Sequence, residues 1–487
     1  MKILRLILFL AISLLNSVSA QNPIQLSIDR FAADPSMSSA SITFKVVDLD
    51  QGNTVAEYQP FLTMPTASIA KLFSTATALE LLGPDFRAQT RLYHDGTIDS
   101  LGVLHGNLWI RGGGDPSLGS KYFHEDAQQL VFLDEWIAAV KKAGIKGIDG
   151  AVYADASEFG YEGAPDGWSW SDMGNYYGAG PSGLTIYDNQ LSFHFNVPSA
   201  LGSVVKVKSM EPEVPGLVFH NYILSSSKSG DNAYLYGAPY SLDRFGSGTL
   251  PAGSSSFLVK GSLPDPEWQV AYEFDKALRA AGITISGDIQ TARTNDLSAS
   301  LKRYESMHMV HTHKGEKLLD IVSHTNMRSV NLFAEHMVNL IGYDKTGNGS
   351  TSSGLTVLED YWKSKFNTNG MHVNDGSGLS RSNAWNADHF VQLLKCMHTS
   401  KYAAQFKSTL PVAGSSGTLR NICAGGAAKN RMQAKSGSMT RIKSYAGYIQ
   451  SASGKNYCFA LIVNNASCSN AALLSKMESV FNTIATY

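Results

Sequence analysis

The stretch Pro65-Thr66-Ala67-Ser68-Ile69-Ala70-Lys71-Leu72-Phe73 decides how this chain is read. Apolar residues recur at Ile69, Leu72, Phe73, Ala76, Leu79 and Leu82, the spacing of a buried helix, and Gly83-Pro84 stops it. Ser68 therefore stands at or near a helix N-terminus. Lys71, three residues on, projects from the same face. A serine hydroxyl is a weak nucleophile and needs an adjacent base. A lysine is a base only when neutral. Its reference pKa near 10.4 must fall by roughly 3 units, about 4 kcal/mol, for it to work near pH 7. Desolvation and a second cation both push that way. The helix N-terminus adds positive potential and backbone N–H groups suited to an oxyanion.

Ser-x-x-Lys by itself is a loose pattern. Ser203-Val204-Val205-Lys206 and Ser225-Ser226-Ser227-Lys228 also match, in segments that read as strand or turn without a following amphipathic helix. Two companions select Ser68. They are Ser329-Val330-Asn331 and Lys435-Ser436-Gly437, in that order. Each alone has a plain structural explanation: a helix-capping serine for the first, a solvated turn for the second. Together they form a set known from serine acyl-transfer enzymes. Lys435 is the natural second cation for Lys71.

The chain has 487 residues, 43% hydrophobic and 17% charged, which is globular and long enough for two or three domains. Its formal net charge of −1 gives no electrostatic case for nucleic acid or a membrane surface. Residues 1–20 read as a signal peptide: basic Lys2 and Arg5, an apolar run over 6–15, then Val18-Ser19-Ala20 as the cleavage site. The run is too short to span a membrane comfortably, and no cysteine follows it to take a lipid. The mature chain is expected to start at Gln21, exported to the periplasm or cell-wall space without stable membrane insertion. Cys396, Cys423, Cys458 and Cys468 then meet conditions that permit disulfides, with three pairings open. Their spacing is not a zinc pattern, and a structural role is expected. The 13 histidines show no metal-motif spacing, so neither metal nor cofactor is assigned. Gly112-Gly113-Gly114 lacks the Gly-Lys-Ser/Thr of a phosphate loop.

Along the chain, residues 40–58 predict two strands around a turn at Asp50-Gln51-Gly52-Asn53. Residues 86–290 change texture to short strands and glycine-rich turns, with one clear helix over 133–143 and another over 271–281. Helical character returns over 317–340 and 386–397. Strands at 445–450 and 457–463 precede a helix over 471–484.

On these residues the chain resembles the D-alanyl-D-alanine carboxypeptidase/endopeptidase family of low-molecular-mass (class C) penicillin-binding proteins, peptidase family S13. The resemblance spans most of the mature chain. Beyond the three motifs it rests on Gly112-Gly113-Gly114-Asp115-Pro116, on Asn326-Met327-Arg328-Ser329-Val330-Asn331-Leu332 with Ala334-Glu335, on Asp375-Gly376-Ser377-Gly378-Leu379-Ser380, and on Leu410-Pro411-Val412-Ala413-Gly414 with Gly417-Thr418-Leu419. It implies an α/β multi-domain fold: a DD-peptidase/β-lactamase-like transpeptidase domain, an antiparallel sheet flanked by helices, with two small mostly-β inserted domains. The catalytic domain would comprise residues 21–86 and 290–487, and the insertion 87–289.

The resemblance also implies roles. Ser68 attacks the carbonyl of the penultimate D-alanine and forms an acyl-enzyme, with Lys71 as base. Ser329 relays a proton to the leaving amine. Asn331 binds the substrate amide and orients Lys71. Lys435 binds the terminal carboxylate, Ser436 hydrogen-bonds it, and the N–H groups of Ser68 and Ser438 form the oxyanion hole, with Gly437 between. Asp172, in Gly167-Trp168-Ser169-Trp170-Ser171-Asp172-Met173, would read the polar end of a diaminopimelate side chain, with Trp168 or Tyr177 as a wall. The implied partners are peptidoglycan stem peptides and cross-links, and β-lactams as covalent inhibitors. Three positions depart from the family pattern: Ser436 replaces threonine and keeps the hydroxyl, Val330 replaces aspartate at a site facing away, and Met327 replaces lysine. Two alternatives stay open at this stage. A penicillin-hydrolysing β-lactamase needs a water-activating base, and none is evident; steady nitrocefin turnover would favour it. A catalytically inactive wall-binding protein is at odds with the complete set of catalytic side chains.

Overall fold

The structure, a computed structural model, describes residues 22–295 and 301–487. The predicted signal peptide lies outside the described residues. Two compact units make up the chain. One contains the described residues up to Thr66, Trp385–His398 and Pro411–Tyr487; the other contains Ala67–Ala384 and Thr399–Leu410.

The first unit is built on a five-stranded antiparallel sheet of β1 (Ser41–Asp48), β2 (Thr54–Tyr58), β3 (Met432–Met439), β4 (Ile442–Gln450) and β5 (Asn456–Asn464). The order is β3-β4-β5-β1-β2. Period-2 alternation explains why both faces of β1 are used. Ile42, Phe44 and Val46 pack in one core with Ile24 and Ile28 of helix Pro23–Ala32 and Met477, Phe481 and Ile484 of helix Asn470–Thr486. On the alternate positions, Lys45 Nζ meets Asp388 Oδ1 at 2.7 Å, and Thr43 Oγ1 accepts from Ala387 N at 3.2 Å. Both partners open helix Ala387–Thr399. The sheet is thus flanked by helices on each face, the architecture expected. The strand pair at 40–58 forms with its turn where predicted. The Lys435-Ser436-Gly437 segment is not a turn but the middle of edge strand β3, held by β4 through pairs such as Lys435↔Ala446. All four cysteines are thiols, Cys423 and Cys458 buried.

In the second unit, α1 (Lys71–Leu82) ends at Gly83, whose φ of 85° lies where glycine is favoured. The helical stretch predicted over 317–340 is two helices, α2 (Leu318–Arg328) and α3 (Asn331–Thr346). The break falls at Ser329, in left-handed backbone (φ 61°, ψ 41°), followed by extended Val330. Val330 is buried with Ile321, Leu332 and Phe333, so the helix gives way to bury this side chain. A further helix, α4 (Thr351–Lys363), starts at the Ser350 cap; its Ser/Thr/Gly-rich first turn hid it from the sequence pattern. Residues 87–289 carry most of the strands of four small sheets, two of three strands, one of four and one of five. Strand His308–Lys314 completes the five-stranded one beside Gln89–His94.

Helix α1 is locked by Trp362 of α4. The indole is almost fully buried, meets the Phe73 ring edge-on at 5.8 Å, and donates from Nε1 to Thr77 Oγ1 at 2.8 Å. Trp362→Ala is expected to cost about 3–5 kcal/mol through the cavity it leaves. Urea denaturation followed by circular dichroism checks this; an unchanged midpoint contradicts it.

Candidate active site

Ala67 takes a positive φ of 51°, and a single 3-10 turn, Ala67–Ala70, leads into α1. Ser68 lies in that turn, three residues before the α-helix begins, and is half-buried, whereas Lys71, the first residue of α1, is fully buried. The segment at 375–380 presses against this turn. A Cβ on Gly378 (φ +81°) would stand 2.2 Å from the Ala67 carbonyl, so only glycine fits.

Three oxygens surround Lys71 Nζ: Asn331 Oδ1 at 2.6 Å, the Ser377 carbonyl at 2.7 Å and Ser68 Oγ at 2.9 Å. The Asn331 amide cannot turn over, because its Nδ2 donates to the Tyr177 carbonyl at 2.7 Å. Two of the three partners are therefore acceptors only. A neutral amine has two N–H groups and one lone pair. The N–H groups satisfy Asn331 and Ser377, and the lone pair is left facing the Ser68 hydroxyl. Neutral Lys71 can take the Ser68 proton without rearranging.

Burial pushes Lys71 down to about 7, against the opposing pull of Asp375 and then Glu335. Glu335 sits one turn beyond Asn331 on α3 and is itself pushed up by burial, to about 8, so it holds its proton near neutrality. Its Oε2 accepts from Gly376 N at 2.8 Å. Asp375, also buried, accepts from Gly378 N, Ser380 N, Asn383 Nδ2 and Trp168 Nε1, all at 2.6–2.8 Å. Trp168 thus braces the 375–380 segment through its N–H. Tyr177, whose carbonyl fixes Asn331, donates from its hydroxyl to Asp172 Oδ1 at 3.2 Å. Burial raises Asp172, with Tyr177 and Arg381 opposing. Asp172 is therefore two hydrogen bonds from Asn331.

The structure joins Ser68, Lys71 and Asn331 directly and links Asp172 to them through Tyr177. Ser329 supplies the left-handed residue that ends α2, two positions before Asn331. Lys435, Ser436, Gly437 and Ser438 belong to the other unit. There Lys435 is fully buried with Nζ donating to the Ser436 carbonyl at 2.8 Å, Ser436 Oγ donates to Thr418 Oγ1 at 2.8 Å, and Lys443 Nζ lies 3.5 Å from Ser438 Oγ. Sequence reasoning gave no role to the Ser377 carbonyl or to Glu335. A backbone acceptor leaves no side-chain signature, although both residues sit in quoted family segments.

The model of the D-Ala-D-Ala carboxypeptidase 3 (S13) family matches residues 24–486. The chain belongs to this family. Its class of activity is accordingly that of a serine-type D-Ala-D-Ala carboxypeptidase. It is 28% identical over 472 residues to the D-alanyl-D-alanine carboxypeptidase of Actinomadura sp. (strain R39), covering 94% of this chain and 84% of that one. It is 24% identical over 431 residues to D-alanyl-D-alanine carboxypeptidase DacB of Haemophilus influenzae, covering 87% and 85%. The crystal structure of penicillin binding protein 4 (dacB) from Haemophilus influenzae superposes with a TM-score of 0.80 at 22% identity, covering 94% of this chain and 99% of that one. That likeness establishes the DD-peptidase/β-lactamase-like fold with extra domains.

Because Lys71 must be neutral to accept a proton, acylation in this S13 member should rise with pH through about 7 and level off above it. Stability carries the same sign. Between about pH 7 and the unfolded lysine value near 10.5 the unfolded chain binds a proton that the folded site lacks, so stability contributed by Lys71 rises with pH in that window. Stopped acylation by a fluorescent penicillin across pH 5.5–8.5, about the Lys71 value, checks the first expectation; a flat profile contradicts it.

Proposed function

We propose that the mature chain is exported to the periplasm or cell-wall space and cleaves peptidoglycan stem peptides, or the cross-links between them, through an acyl-enzyme on Ser68. The observation that carries this is the Lys71 amine, buried and held by two fixed acceptors with Ser68 Oγ as its third partner. Ser68 Oγ attacks the carbonyl carbon of the penultimate D-alanine as its proton passes to Lys71. The oxyanion is received by the N–H groups of Ser68 and Ser438. A proton relayed by Ser329 goes to the leaving amine, that of D-alanine in a carboxypeptidase step or of a neighbouring stem in an endopeptidase step. Water then hydrolyses the ester. Lys435 and Ser436 bind the terminal carboxylate, with Gly437 beside them in the same substrate-binding strand. Asp172 reads the ammonium end of a diaminopimelate side chain; its hydrogen bond from Tyr177 supports this, since Tyr177 also anchors Asn331. The catalytic domain is taken as residues 21–86 and 290–487, with 87–289 inserted. The fold-level likeness to penicillin binding protein 4, which has also been crystallised with a β-lactam, is consistent with β-lactams acylating this chain.

Three experiments test the assignment. Ser68→Ala is expected to abolish labelling by a fluorescent penicillin, and retained labelling would sink the nucleophile. Lys435→Ala should lower the second-order rate of acylation by roughly 10–100-fold, the loss of a charged hydrogen bond worth about 1.5–3 kcal/mol. Mass spectrometry of muropeptides incubated with the mature protein then separates the two bonds. Release of one alanine reports carboxypeptidase action, dimers becoming monomers reports endopeptidase action, and unchanged muropeptides contradict the proposal.

A further inference from the structure

Strand His308–Lys314 and helix Phe132–Lys142 bring together three side chains that are far apart in the sequence. His311 and His313 stand two apart on the strand, past the irregularity between Met309 and His311, and so share one face. Glu135 lies opposite, in the first turn of the helix. Each carboxylate oxygen meets a different imidazole: Oε1 is 3.1 Å from His311 Nε2, and Oε2 is 3.2 Å from His313 Nδ1. One ligand atom from each residue fits within a common span of 4.8 Å. Tetrahedral zinc, with bonds of about 2.0–2.2 Å, holds its ligand atoms about 3.3–3.5 Å apart. The three donors need to close by at most about 1.5 Å to reach that geometry.

The surroundings also suit a cation. The two imidazoles are 19% and 17% exposed, whereas Glu135 is 53% exposed, so the cluster is anchored on the strand and open on the helix side. The rings of Phe132 and Trp136 lie 6.1 Å and 6.2 Å from that of His313 and limit its rotation. A cavity of about 400 Å³, lined by His124, Glu135 and His313 among others, gives an entry path and an open coordination position. Asp115, from the Gly112-Gly113-Gly114-Asp115-Pro116 segment, is buried, interacts electrostatically with His313, and has one carboxylate oxygen, Oδ2, without a hydrogen-bond partner.

We propose that Glu135, His311 and His313 form a binding site for a divalent transition-metal ion, Zn²⁺ foremost, that shares no residue with the Ser68 site. Two imidazoles and one carboxylate make a donor set that zinc accepts, with water in the fourth position.

Equilibrium dialysis of the untagged, chelator-stripped mature protein against micromolar Zn²⁺, read by elemental analysis, tests it. One Zn²⁺ per chain is expected. Glu135→Gln and the double variant His311→Ala/His313→Ala should each weaken binding by roughly 10-fold or more. With Co²⁺ in place of Zn²⁺, visible absorption of a four-coordinate site should appear in the parent protein and be lost in the variants. Fluorescent-penicillin labelling reports folding, and Glu135→Gln, at an exposed position, is the deciding variant if the double variant fails to label. No bound zinc in the parent protein, or zinc bound equally by parent and Glu135→Gln, overturns the proposal.

Discussion

A lysine amine taken fully out of water holds its proton poorly, and the second unit is arranged to exploit this at Lys71. Its position is set by α1, whose apolar face is clamped by Trp362, and its hydrogen bonds are set by Asn331 on α3 and by the Ser377 carbonyl. An ammonium in the same place would donate all three of its protons, one of them into Ser68, and leave the hydroxyl without a base. The neutral form satisfies the same three oxygens and points its lone pair at the nucleophile. One change of protonation separates an inert site from a competent one.

The acids beside this amine would ordinarily keep it charged. Asp375 and Glu335 both pull Lys71 upward, yet burial outweighs them. Glu335 adds little opposition near neutrality because burial keeps it protonated to about 8. Asp375 instead collects five donors, from Ser377, Gly378, Ser380, Asn383 and Trp168, which turns a nearby acid into a brace for the loop that supplies the Ser377 carbonyl. A segment within residues 87–289 therefore takes part in holding the base. The same segment carries Asp172 and Tyr177, so a contact with substrate at Asp172 is mechanically close to Asn331.

Much of this was legible in the chain. The apolar spacing after Ser68 gave α1 and its end at Gly83, because a buried helix must repeat its apolar residues on one face. Alternation gave the β1–β2 pair and the C-terminal strands for the corresponding reason. Strand β3 was not legible: Met432-Gln433-Ala434-Lys435-Ser436-Gly437-Ser438-Met439 has a buried lysine where an apolar residue would signal a strand. The break at Ser329 depends on burying Val330 within its own unit, which helical spacing does not encode. The Ser377 carbonyl belongs to the backbone and leaves no mark in composition. Glu135 meets His311 and His313 only because a helix and a strand far apart in the sequence fold against each other, so no motif spacing announces them.

The pairing of β1 with β5 has a consequence for how the molecule forms. Ser41 lies opposite Asn464, so this interior strand finds its second neighbour more than four hundred positions later. Until residues 456–464 are available, the β1–β2 hairpin has one long edge without a partner, the kind of edge that recruits other chains. The second unit is drawn largely from one continuous stretch, Ala67–Ala384, and can begin to organise before the sheet has its last strands. Pairings this distant are slow to form. Completion of the sheet is therefore expected to be the late step of folding, and a chain stopped short of β5 would be left with an adhesive N-terminal hairpin even where the unit carrying Ser68 and Lys71 had already formed.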